Sequence, residues 1–169
     1  MKIIGLSLLS ALIVLAGNTL AKRKIERIEI LQNISLMIKY INAQIVYSRL
    51  SVPKLLESLE KSDEFSKLFF IKEANSMLLN GNDCQTAWKT AVSDYLKISP
   101  LVKEDGEMLT AFFNGLGSTD IEGQKSNCET YSELFRLKTD SMRKKAEASA
   151  KVYNSLGLMT AALVFIILY

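Results

Sequence analysis

The chain has 169 residues, 49% of them hydrophobic and 23% charged, with a formal net charge of +3 and a pI near 8.8. That balance is too mildly basic for a nucleic-acid surface, where a basic face with interleaved aromatics would be expected. There is no histidine, so the commonest general base near neutral pH and the commonest transition-metal ligand are both missing. The length allows one compact domain with an apolar segment at either end, and the apolar residues do gather at the two ends.

From Ile3 to Leu20 the chain reads IIGLSLLSALIVLAGNTL without a charge, long enough to cross a hydrocarbon core of about 30 Å as a helix. A cleaved signal peptide is the rival reading, because Thr19-Leu20-Ala21 offers small residues at the right place. Lys22, Arg23 and Lys24 follow the apolar run directly, while only Lys2 and the terminal amine precede it. Basic residues on that flank favour an uncleaved anchor with the following segment in the cytoplasm.

Residues 25–48 place Leu31, Ile34, Ile38, Ile41 and Ile45 at alternating steps of three and four, the stripe of an amphipathic helix. Ser51 and Pro53 suit the start of a short second helix through Leu55, Leu56 and Leu59. A third is expected from Ser62 or Asp63, burying Phe65, Leu68 and Phe69 with Met77, and stopping at Asn80-Gly81. Asp83 should cap a fourth whose apolar face is Cys84, Ala87, Trp88, Ala91, Tyr95 and Leu96, closed by Ser99-Pro100. The fifth is expected over residues 101–116 with Leu109, Phe112 and Phe113 inward, ended by Gly115 and Gly117. The sixth opens at Thr119-Asp120-Ile121-Glu122, read as a capping box with Thr119 at the N-cap and Glu122 three residues on. It has no break before Gly157 and carries Cys128, Tyr131, Phe135 and Met142 inward.

At the C-terminal end, Leu156 to Tyr169 is apolar, and extension back to Val152 gives the lower limit of a crossing helix. A buried core helix is the rival. Arg143, Lys144 and Lys145 supply a basic flank that again leaves the middle of the chain in the cytoplasm, and they would also suit acidic lipid headgroups. The domain reading is therefore an N-terminal transmembrane helix over 1–21, a cytoplasmic helical bundle over 22–151 and a C-terminal transmembrane helix over 152–169. The fold class is all-α: a six-helix bundle between two membrane helices.

Cys84 and Cys128 lack paired spacing and sit on apolar faces, which predicts two reduced, buried thiols. No phosphate loop, HExxH, GxSxG or dinucleotide fingerprint is present, and the carboxylates Asp63, Glu64, Asp105, Glu107, Asp120 and Glu122 gather at helix starts, where capping accounts for them. The expectation is a non-enzymatic protein without a cofactor or metal. A two-span sensor or other membrane-anchored helical scaffold is the alternative, and a membrane-bound enzyme is disfavoured by the missing motifs.

The string DGEMLTAFFNGLGSTDIEGQ, Asp105 to Gln124, resembles a segment of the stage III sporulation protein AB family of endospore-forming bacteria, in which an acidic helix leads to an LG-x-x-D-x-x-x-Q turn. Here that turn is Leu116, Gly117, Asp120 and Gln124. Leu50 with Pro53, Ala87-Trp88, the length and the apolar ends also resemble the family. The resemblance implies a fold similar to the cytoplasmic six-helix domain of type II secretion and type IV pilus platform proteins. It also implies a platform in the channel between mother cell and forespore, in the outer forespore membrane, beside a secretion-type ATPase and other channel subunits. A homo-oligomer would supply the second domain copy that secretion platforms carry within one chain. The turn of Leu116, Gly117, Thr119, Asp120, Glu122 and Gln124 is the candidate docking surface, the rival reading being a purely structural turn in which Thr119, Asp120 and Glu122 only cap the helix.

Overall fold

In the computed structural model the backbone is described for residues 2–48 and 50–168, and the side chains for Thr19, 21–48 and 50–149. Six α-helices, and no strand among the described residues, follow in order: α1 (Lys2–Ala43), α2 (Val52–Glu60), α3 (Phe70–Leu79), α4 (Cys84–Ile98), α5 (Lys103–Gly115) and α6 (Ile121–Leu168). A π-helical turn, Gln44–Ser48, finishes α1, and a single 3₁₀ turn, Asp63–Phe65, precedes α3. The all-α class and the six helices agree with the sequence. The segments expected to cross a membrane, Ile3–Leu20 and Val152–Tyr169, lie outside the described side chains apart from Thr19. Among the described residues no helix is long and apolar enough to cross one.

The two long helices form the axis of the molecule. Ser35 Oγ donates to the Ser132 carbonyl at 2.8 Å, and Arg143 donates to the Gln32 amide oxygen. A step back along α1 is thus a step forward along α6, so the helices run antiparallel. The three-and-four spacing on α1 explains why they adhere: Leu31, Ile34, Met37, Ile38 and Ile41 are fully buried, and Cys128 and Phe135 of α6 join the same core. Burial of each such side chain contributes about 1.5–3 kcal/mol before chain entropy is counted.

The four short helices pack against this axis around an aromatic cluster. Trp88 stacks on Phe113 with ring centroids 3.6 Å apart and planes 7° apart, and Phe70 meets both rings edge-on or tilted. Gly106 makes the approach of α5 to α4 possible, because a Cβ there would fall 2.3 Å from Leu96 Cδ1.

Some boundaries differ from the sequence reading. The expected third helix from Ser62 is interrupted: the chain makes only the 3₁₀ turn and restarts at Phe70, which is fully buried, while Phe69 is 61% exposed. Two adjacent aromatics satisfy the helical period equally well, and the restart chose the second. Ser51 occupies the N-cap of α2 without a side-chain capping bond. Asp83 does cap α4, accepting from the Thr86 N–H at 2.9 Å. The fifth helix begins at Lys103, two residues later than expected, with Leu109, Phe112 and Phe113 buried as foreseen and Leu101 buried ahead of it. Cys128 is fully buried, but Cys84 is only half-buried; both are free thiols.

Candidate docking turn and charged base

The turn between α5 and α6 starts from a buried anchor and ends in an exposed cap. Leu116 is 7% exposed and belongs to the core, so it is not available to a partner. Gly117 follows at φ +77°, a left-handed conformation that L side chains disfavour, and a Cβ there would stand 3.3 Å from Val52 Cγ2. Ser118, Thr119, Asp120 and Glu122 are exposed.

The capping box expected from Thr119 and Glu122 is not formed. Asp120 is the N-cap, accepting the Gly123 N–H on Oδ1 at 2.9 Å, and Gln124 Nε2 donates to the Thr119 carbonyl at 2.9 Å. The shift by one residue follows from where the helix begins, since α6 starts at Ile121 and its third position is glycine, which has no side chain to complete a box. Glu122 instead lies 3.4 Å from Lys125. Ile121, 45% exposed between Asp120 and Glu122, gives the turn an apolar centre that the sequence reading did not single out. Its position at the first helical residue, outside the inward stripe, was the available signal.

At the far end of the same helix pair lies the charged base. Continuing the register set by Ser35 with Ser132 and Gln32 with Arg143 brings Lys22, Arg23 and Lys24 to the same end of the pair as Arg143, Lys144 and Lys145. All six are exposed, and none is in an ion pair with a described residue. From Lys145 to Ile121 α6 rises about 36 Å at ~1.5 Å per residue, so docking turn and base are well separated.

Just above the base is a feature that capping logic missed. Asp105 is fully buried and receives three elements at once: Arg27 of α1 donates through Nε at 2.8 Å and a second nitrogen at 3.1 Å, Lys138 Nζ of α6 lies 2.9 Å away, and the Val102 N–H donates at 2.9 Å. Burial pushes this carboxyl up, but the Arg27 guanidinium, the Val102 N–H and Lys138 outweigh it and hold the carboxyl below its ordinary value. Asp105 does cap α5, as the sequence suggested, yet its larger role is to tie α1, α5 and α6 together. Its signal in the sequence was only a carboxylate one turn into a helix.

Among the described residues no three acidic or cysteine side chains converge as a metal ion would need. Burial raises the Cys128 thiol to about 12 and also raises Cys84, so neither is an activated nucleophile.

Compared with known proteins, residues 2–169 match the family model described as stage III sporulation protein AB. The chain belongs to the stage III sporulation protein AB family. Membership extends the resemblance carried by Leu116, Gly117, Asp120 and Gln124 to almost the whole chain, and it points to a role in sporulation. No curated protein and no solved structure matches this family member.

Proposed function

We propose that this member of the stage III sporulation protein AB family is a non-enzymatic membrane platform of the channel between mother cell and forespore. Apolar residues 3–20 and 152–169 anchor it in the outer forespore membrane, the bundle lies in the mother-cell cytoplasm, and the turn at the top of α6 receives a partner, in the first instance a secretion-type ATPase. The observation that supports this best is the antiparallel pairing of α1 and α6. It gathers the basic flanks of both apolar segments at one end and sets the Asp120–Gln124 cap about 36 Å away at the other. A rigid bundle held at one end presents its other end at a fixed height, which suits docking. The similarity to secretion platforms enters through the family resemblance, and a second copy of the chain would complete the two-domain arrangement of those proteins.

The test is a pull-down of the purified ATPase with the full chain in detergent. Ile121→Ser alters the exposed apolar centre without touching a capping bond, whereas Asp120→Ala and Gln124→Ala remove bonds at the cap. Loss of binding with Ile121→Ser at unchanged melting temperature is the expected outcome. Full binding by all three folded variants removes the turn from the docking surface, and nucleotide hydrolysis by the purified chain alone defeats the platform reading.

A further inference from the structure

The base of the bundle is apolar as well as charged. α4 descends to end at Ile98, α5 starts back up at Lys103, and α3 starts upward at Phe70, so the turns before α3 and between α4 and α5 both hang at this end. Their tips are bare: Ile98 is 74% exposed, Phe69 61% and Val102 40%, with Ile25 of α1 at 57%. A groove of about 190 Å³ joins Phe69 to Ile98, lined also by Tyr95 and Pro100 with Glu26 and Glu29 of α1. Those α1 residues are less than two turns above Lys22, so the groove and the basic clusters belong to one surface. Single exposed apolar residues need no explanation, but several together at one end do.

Charge selects what covers this surface. Lys61, Lys125 and Arg136 elsewhere on the bundle, and Lys97 beside Ile98 at the base, each sit against a carboxylate. Lys22, Arg23, Lys24, Arg143, Lys144 and Lys145 form no ion pair with a described residue, and they outnumber the two groove carboxylates, of which Glu29 already lies 3.8 Å from Lys67. Basic side chains around protruding aromatic and aliphatic ones fit an anionic lipid interface, where the cations meet phosphate and the apolar tips enter the boundary with the acyl chains. Both apolar ends of the chain also leave the bundle here.

We propose that the base is an interfacial membrane-binding surface that seats the bundle on anionic phospholipid, with Ile98 and Phe69 as its inserting residues. The proposal rests on the reading of residues 3–20 and 152–169 as anchors, and adds that the bundle lies against the bilayer instead of standing off on the two helices.

The experiment uses the full chain carrying Cys84→Ser, with Cys128 left in the core, in lipid nanodiscs of phosphatidylcholine alone or with phosphatidylglycerol. A spin label is placed at Ile98→Cys, at Phe69→Cys or, as a control, at Leu79→Cys on the far end of α3, where the native residue is 81% exposed. In discs containing phosphatidylglycerol, labels at 98 and 69 should lose accessibility to a water-soluble nickel chelate and gain accessibility to oxygen, while the label at 79 stays wet. Lys22→Gln, Arg23→Gln, Lys24→Gln, Lys144→Gln and Lys145→Gln together should abolish the dependence on phosphatidylglycerol. Labels at 98 and 69 as wet as the one at 79 in both kinds of disc overturn the seating while leaving the anchors standing. Labels equally shielded in both discs and in detergent micelles place this surface against protein and overturn it too. Failure of the chain to float with lipid at all overturns both the anchors and the seating.

Discussion

Asp105 concentrates the electrostatic design of the bundle in one side chain. A carboxylate with no exposed surface is costly to bury, and here the cost is offset by Arg27, Lys138 and the Val102 N–H. Asp105→Asn keeps the shape but leaves two cations facing a neutral amide. It should destabilise the chain by about 3 kcal/mol or more, the usual penalty for breaking a buried pair, as read from urea denaturation in detergent. The pH dependence has a definite sign. The folded carboxyl titrates below its ordinary value of 3.8, so its contribution is complete above that value and is lost as pH falls from about 4 through the folded pKa. The wild-type chain should therefore lose stability steeply below pH ~4, and Asp105→Asn should show a shallower acid slope. Equal slopes would mean that Asp105 is not the ionised hub described above.

Among the connecting elements, the turn into α6, like the one after α3 at Gly81, depends on a single left-handed glycine. Gly117 at φ +77° ends α5 and aims the chain at Asp120. Valine there must adopt a left-handed backbone, costing roughly 1–2 kcal/mol, and would bring its Cβ against Val52 of α2. Gly117→Val should lower the melting temperature by several degrees, and an unchanged melting temperature would mean that this turn relaxes without penalty. Loss of the Asp120 cap should cost about 1 kcal/mol, a smaller effect because α6 is held along its length by α1. That difference lets docking and capping be separated by measurement at the element scale.

For the whole molecule, the proposed topology is open to a direct check: a cysteine replacing the exposed Lys61 should resist an impermeant thiol reagent in intact cells and react once the membrane is opened, and ready labelling in intact cells would reverse the assignment. How much of this was legible beforehand depends on the range of the interactions involved. Local patterns were sufficient for the six helices, the buried stripe from Leu31 to Ile45, the glycines that end the fifth helix and the Asp83 cap, because period and cap act within one or two turns. The string from Asp105 to Gln124 was also sufficient to suggest the family. Where two neighbouring residues fit a local rule equally, the rule could not choose: Phe70 took the core position expected for Phe69, and Asp120 the cap expected for Thr119. Contacts across the chain lay beyond any local pattern. Arg27, Asp105 and Lys138 are scattered along the sequence, and only the antiparallel register of α1 and α6 with α5 laid beside them gathers two partly exposed cations around one buried carboxylate. The same register brings Lys22 to Lys24 level with Arg143 to Lys145, and the up-and-down course of α3, α4 and α5 sets Phe69 and Ile98 beside them. Sequence determined which segments are helical and which faces they bury; tertiary packing alone decided which distant residues share an end, because charge and apolar surface act through distances in space and not along the chain.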